Sequence, residues 1–333
     1  MRTGPSLDRR GFLHGTAATG LLAVAGPGSA RAQSRPILFG SASLGSTGYV
    51  IIETLSAIVN KHSELRTSSM STSGGSENLQ LIGEGMIDFG QSSSPDWPAA
   101  TAGRGKFGRP IEVHQMFSYT VWSTFPMVRA DSDITSTTGL GGRRVSPSTA
   151  GGSTRTTWEL MTGIIGNKDD IDWTYGSWRE TYDAFRAGAI ECVPGLLIGG
   201  RPAPLLQELQ ATMEVRGLGW PEDAIAQARE TNPGIMRFAA EPELWSGVAE
   251  PTPGVGSAGI LAAHPSVTAE TAYTITKTIF DNAAEVRNVS MELKSIDLDF
   301  AVRYLMEDMP VNAGAAQYFK EQGVWRDELT IAG

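Results

Sequence analysis

Three times in this chain a loop of Gly, Ser and Thr leads into a helix with one apolar face. In the first unit, residues 36–40 have the look of a buried strand and 41–48 form the loop. Ile51, Ile52, Leu55, Ile58 and Val59 follow at helical spacing. In the second, Gly74 and Gly75 make a turn, Ser76 stands where an N-cap hydroxyl belongs, and Glu77 suits the positive helix end. Leu79 and Ile82 face a core and Gly85 stops the helix. Ile87 and Phe89 then alternate with Asp88 and Gly90 as a strand that runs out into Gln91, Ser92, Ser93 and Ser94. The third unit spans residues 144–155, with Ser153 or Thr154 as the N-cap. Trp158, Met161, Ile164 and Ile165 share one face of its helix. Such units present bare helix N–H groups at a sheet edge, where α/β proteins hold small anions.

At 333 residues the chain can form two compact lobes. Arg9 and Arg10 precede Phe12 and Leu13, an apolar run follows from 15 to 26, and Ala30-Arg31-Ala32 is a small-x-small cleavage site. This is a secretory leader over residues 1–32, cut near Ala32, and its arginine pair resembles a twin-arginine signal. The apolar run is too short to span a bilayer, and nothing later is long and apolar enough. A periplasmic location is expected. The net charge of −9 becomes −12 once the leader's four arginines and one aspartate are gone. An acidic chain makes a poor nucleic-acid binder. Cys192, the single cysteine, allows no internal disulfide and belongs in a core.

Several chemistries find no support. Gly254, Gly256 and Gly259 match a dinucleotide fingerprint by letters, but they follow a Pro-rich loop and lead into a strand. His62, His114 and His264 are too far apart to suggest a metal site. No nucleophile elbow or P-loop occurs. The expectation is therefore no catalytic residue, no metal and no cofactor.

Residues Ser71, Thr72, Gly74, Gly75, Ser76, Glu77, Asn78 and Leu79, followed by Gly85, Asp88, Gln91 and Ser92, make a pattern that resembles one family closely. It is that of the TAXI-type solute-binding proteins of tripartite ATP-independent periplasmic (TRAP) transporters. The loop with Gly40, Ser41, Gly45, Gly48 and Tyr49 fits the same family, although Val50 and Ile51 replace its usual tyrosine and proline. Residues 125–132, 188–204 and 310–323 continue the likeness, with Asn312 where the family has histidine. The resemblance implies an α/β, two-lobe periplasmic binding protein (Venus-flytrap) fold, hinged, with the ligand cleft between lobes. It implies lobe 1 over residues 33–128 and 256–333 and lobe 2 over 129–255, with the first crossing near 120–132. Residues 217–253, rich in proline, are expected to be an irregular surface segment.

The loops and the resemblance together nominate Ser43, Ser46, Thr47, Tyr49, Gly74, Gly75, Ser76, Asn78, Gln91, Ser92, Thr149, Gly152, Ser153, Thr154, Arg155, Gly200 and Arg201 as ligand contacts. Arg155 in a first helical turn opposes the macrodipole. It either holds a bound anion or pairs with Glu159 four residues on. Arg201 is the rival contact or a solvated loop residue. The implied function is delivery of a small organic anion, an acidic amino acid or dicarboxylate, to the membrane permease subunits of a TRAP transporter, with the binding subunit a monomer and no nucleic-acid partner. A ligand sensor or surface antigen on the same fold, or a secreted hydrolase, are the alternatives.

The leader reading is testable. Arg9→Lys combined with Arg10→Lys should block export, while wild-type periplasmic material should begin near Gln33 on N-terminal sequencing. Full-length protein held in the membrane would contradict it.

Overall fold

Small side chains and β-branched runs let the backbone pack closely enough to build one long sheet with helices on its faces. The computed structural model describes residues 35–333, so the leader and its cleavage site lie outside the described residues. In order, the chain forms β1 (Ile37–Gly40), α1 (Thr47–His62), β2 (Thr67–Met70), α2 (Gly75–Gly83), β3 (Phe89–Ser93), α3 (Trp97–Thr101) and β4 (His114–Arg129). Then come β5 (Arg144–Val145), α4 (Ser153–Ile164), β6 (Asp172–Trp173), α5 (Trp178–Arg186), β7 (Val193–Ile198), β8 (Arg201–Pro202) and α6 (Pro204–Gln210). The chain ends with β9 (Val215–Gly217), α7 (Glu222–Thr231), β10 (Met236–Ala240), β11 (Thr252–Ala263), α8 (Ala269–Asp281), α9 (Ala283–Val289), α10 (Leu298–Arg303) and α11 (Ala313–Glu321).

The main sheet runs β2-β1-β3-β11-β4-β7-β8, with β10 beside β11 and β9 beside β4. β1 pairs in parallel with β2 and β3, while β11 and β4 run antiparallel to their neighbours. The 16-residue β4 and the 12-residue β11 pair along most of their length. They carry the chain between two α/β lobes. Val121 and Ala258 belong to one core, with β1, β3, α1, α2 and the C-terminal helices. Phe125 and Val255, a few residues along, belong to two further cores built from segments between them. The change of core falls at the pairs Trp122↔Ser257, Ser123↔Gly256 and Thr124↔Val255.

Most expected elements form, with instructive differences. The helix expected after Gly74-Gly75 begins at Gly75 with Gly74 as its cap, and Ser76 lies inside it. Gly74 takes φ 123 and ψ −158, open to glycine alone, so the chain enters the helix abruptly. Glu77 reaches back to accept from the Ser73 amide at 2.5 Å. α4 likewise is capped by Gly152, not by Ser153 or Thr154. The strand expected at residues 87–90 lies further on, because Gln91, Ser92 and Ser93 sit buried within β3 between β1 and β11. Residues 217–253 are not irregular. They contain α7 and β10, and Trp220, Ile225, Ala228 and Ile235 are core residues. A short helix between Pro221 and Pro233, opened by Glu222 and Asp223, leaves too few turns for a clear periodicity.

The Gly254, Gly256 and Gly259 spacing has a packing reason. Cβ atoms there would meet the rings of Phe125 at 2.1 Å, Phe238 at 2.5 Å and Tyr119 at 2.6 Å, so β11 is bare where aromatics lie across it. Cys192 is buried and unpaired, and burial pushes its thiol pKa up. No described helix is long and apolar enough to cross a membrane.

Asn78 ties two strand ends of the first lobe together. Its amide donates to the carbonyls of Gly40 (3.2 Å), Ser41 (2.7 Å) and Gln91 (2.9 Å), joining the ends of β1 and β3. Asn78→Ala leaves three buried carbonyls without that donor and should cost about 2–4 kcal/mol. Urea unfolding of the purified protein measures it. A change under about 1 kcal/mol would contradict this role.

Candidate functional site

The first lobe presents two loops side by side. Ser41 donates to the Met70 carbonyl at 2.8 Å, Ser71 to Ala42 at 2.8 Å and Thr72 to Ser41 at 3.0 Å. These hydroxyls bind the loop before α1 to the loop before α2, so both helix N-termini open in one place. Ser46 caps α1 by accepting from the Tyr49 amide at 3.3 Å. No side chain caps α2 or α4.

The second lobe brings the start of α4 directly against that edge. Thr149 donates to the Ser73 carbonyl at 2.6 Å and the Glu77 amide to Gly151 at 3.3 Å. Lys106 donates to Thr156 at 3.1 Å. Between the two helix N-termini lies Asp96, fully buried. It accepts from Ser76 of α2 at 2.5 Å and from Ser153 of α4. A carboxylate there neutralises the positive ends of both helices and satisfies two hydroxyls.

Beside this junction is a cleft of about 790 Å³, counting its open mouth. One wall is polar: Ser46 to Gly48, Ser73 to Gly75, Gln91, Ser93, and Ser148, Thr149 and Gly152 to Thr154. The amides of Thr47, Gly48, Gly75, Ser76, Ser153 and Thr154 find no protein acceptor among the described residues. Gln91 accepts from the Tyr119 hydroxyl at 3.1 Å and turns its NH₂ toward Gly74. Ser148 holds φ 74, an uncommon value for a serine, at this wall. The other wall is apolar: Trp122, Pro147, Trp178, Tyr182, Leu196 and the 203–205 segment. Among the lining residues Glu292 alone is a formally charged type; no Lys or Arg contributes.

Of the residues nominated from the sequence, Ser46, Thr47, Gly74, Gly75, Gln91, Thr149, Gly152, Ser153 and Thr154 line this cleft. The others do not. Ser43 turns the loop, its carbonyl accepting from Ser46, and Tyr49 is half-buried in the first turn of α1. Ser76 bonds Asp96, Asn78 bridges strands, and Ser92 donates to Ile260 while accepting from Trp97. Gly200 and Arg201 are exposed at the β7–β8 turn. Arg155 pairs with Glu159 at 2.6 Å, donates to Ala150 and stacks its guanidinium 4.7 Å over the Tyr175 ring. The cation that opposes its own helix dipole is offset by these neighbours. Sequence reading missed Ser73, Trp122, Ser148, Trp178, Tyr182 and Glu292. Ser73 lay within the motif itself, whereas Glu292 carries no local signal.

A model of the NMT1-like family matches residues 39–323. The chain belongs to the NMT1-like family. No curated protein matches it. Among solved structures, one from Bordetella bronchiseptica RB50 shares the NMT1-like chain's fold at TM-score 0.52 and 14% identity, covering 76% of this chain and 72% of that one. The putative L-cystine ABC transporter from Listeria monocytogenes aligns at 0.47 and 12%, over 75% of this chain and 91% of that one. The periplasmic aliphatic sulphonate binding protein SsuA from Escherichia coli aligns at 0.43 and 16%, over 76% and 70%.

Two substitutions in this NMT1-like chain should separate the inner from the outer polar contacts. Asp96→Ala removes a buried acceptor shared by two hydroxyls and should cost about 2–4 kcal/mol. Arg155→Ala breaks a partly exposed pair and should cost under about 1 kcal/mol. Denaturant unfolding of both variants measures this, and the reverse order would contradict the assignment.

Proposed function

We propose that the chain is the exported solute-binding subunit of a TRAP transporter, taking a small carboxylate and delivering it to a membrane permease. One observation carries the reading. The N-termini of α1, α2 and α4 converge on one cleft whose polar wall offers unpaired amides, hydroxyls and the Gln91 NH₂ group, with no lining Lys or Arg. Aligned peptide dipoles there supply a field for an anion without a cationic side chain. The TAXI-type motif around Gly74 supports the transporter class, and family membership is compatible with it.

In this reading lobe 1 comprises residues 33–128 and 256–333 and lobe 2 residues 129–255. The hinge falls slightly earlier on β4, at Trp122 to Thr124, opposite Val255 to Ser257, where the chain changes core. Opening breaks the Thr149–Ser73, Ser153–Asp96 and Lys106–Thr156 contacts. A ligand bridging both walls favours closure by its greater affinity for the closed state. The subunit acts in the periplasm, as a monomer, without catalytic chemistry.

A thermal-shift screen of the mature protein against organic acids should find at least one stabilising carboxylate. With that compound, small-angle scattering should show a smaller radius of gyration at saturation. A screen in which no carboxylate raises the melting temperature would remove the anion reading. An unchanged radius with a bound ligand would remove the hinged closure.

A further inference from the structure

Glu292 sits in the 3-10 turn Met291–Leu293, remote in sequence from every loop that builds the polar wall. It is 5% exposed and lines the cleft. No described residue gives its carboxylate a hydrogen bond or ion pair. The cations nearest in sequence are engaged elsewhere: Arg287 donates to the Ile296 carbonyl and Lys294 to that of Arg287, both at 2.6 Å. Leu293 and Ile296, fully buried, anchor the turn in the first-lobe core. The side chain is therefore held at the cleft by packing and lacks a partner within the protein. Asp96, fully buried, has two hydroxyl donors.

We infer that Glu292 receives an ammonium group on the ligand, so that the cleft selects a zwitterionic amino acid over the same carboxylate without its amine. The inference rests on the carboxylate reading above and narrows it. A buried carboxylate lacking donors is costly, and the cost rises when closure removes water. A dicarboxylate would meet the helix N-termini with one end and add a second negative charge near Glu292. An amino acid answers both poles: its carboxylate to the amides around Gly75 and Ser153, its ammonium to Glu292. The apolar wall of Trp122, Trp178 and Tyr182 then borders the side chain.

Calorimetric titration of the mature protein tests this with matched pairs: L-glutamate and 2-oxoglutarate, L-leucine and 4-methyl-2-oxopentanoate, L-phenylalanine and phenylpyruvate. In whichever pair binds, the amine member should bind roughly 30-fold or more tightly than its oxo partner. Glu292→Gln, nearly the same shape, should weaken the amine member by a similar factor and should not weaken the oxo acid. Glu292→Asp should keep part of the preference, and melting temperatures no lower than wild type's certify that both variants fold. An oxo acid binding as tightly as its amine partner, or a preference that survives Glu292→Gln, would overturn the inference and leave the carboxylate reading standing. Failure of every amino acid and oxo acid to bind would overturn both.

Discussion

The structure turns on two helix N-termini brought face to face. Each carries roughly half a positive elementary charge in its unpaired N–H groups, so α2 and α4 repel unless something negative lies between them. Asp96 supplies that charge at the back, holding Ser76 and Ser153 with its two oxygens. The approach is tight. A Cβ on Gly75 would stand 2.6 Å from the Ser153 hydroxyl, and one on Gly151 2.7 Å from Ser73. Gly75, Ser153 and Thr154 at the front of the same junction line the cleft. In the proposed function, the same arrangement leaves a field for a second, exchangeable anion.

The sheet explains how such a junction can come apart without unfolding. β4 and β11 hold their pairing where the cores change from Val121 and Ala258 to Phe125 and Val255. A rotation confined to that stretch leaves each core packed and alters the contacts across the cleft mouth. Asn78 fastens the end of β1 to β3 at the first-lobe edge. In the proposed reading, closure is a contest between the hydrogen bonds that join the lobes and the hydration of the open walls.

The fold was legible wherever a residue's local role matched its place in the whole. Ile51, Leu55 and Ile58 on α1, and Trp158 and Met161 on α4, announced buried faces by spacing and are buried. The short helix between Pro221 and Pro233 was hidden because turn-forming residues bracket it so closely. Part of the cleft's polar wall was legible, because glycines and hydroxyls before a helix mark its open N–H groups, but Ser43, Ser76 and Ser92, read the same way, hold the protein's own backbone and side chains instead. The apolar wall was not legible, since Trp178 and Leu196 read as ordinary core residues until two lobes are folded together. Arg155 left two readings open from the sequence, a bound anion or Glu159, and the structure pairs it with Glu159 and stacks it on Tyr175. Glu292 gave no signal at all, because a single acid in an apolar turn acquires meaning only from what lies opposite.

The central claim is that backbone amides at the ends of α2 and α4 hold the ligand's anionic group. Amide-resolved nuclear magnetic resonance of ¹⁵N-labelled mature protein tests it most directly, during titration with the best carboxylate from the screen. The account predicts that the N–H signals of Gly75, Ser153 and Thr154, which line the cleft, move downfield on binding, in Arg155→Ala as in wild type. Saturation of the ligand with those three amides unmoved would contradict it.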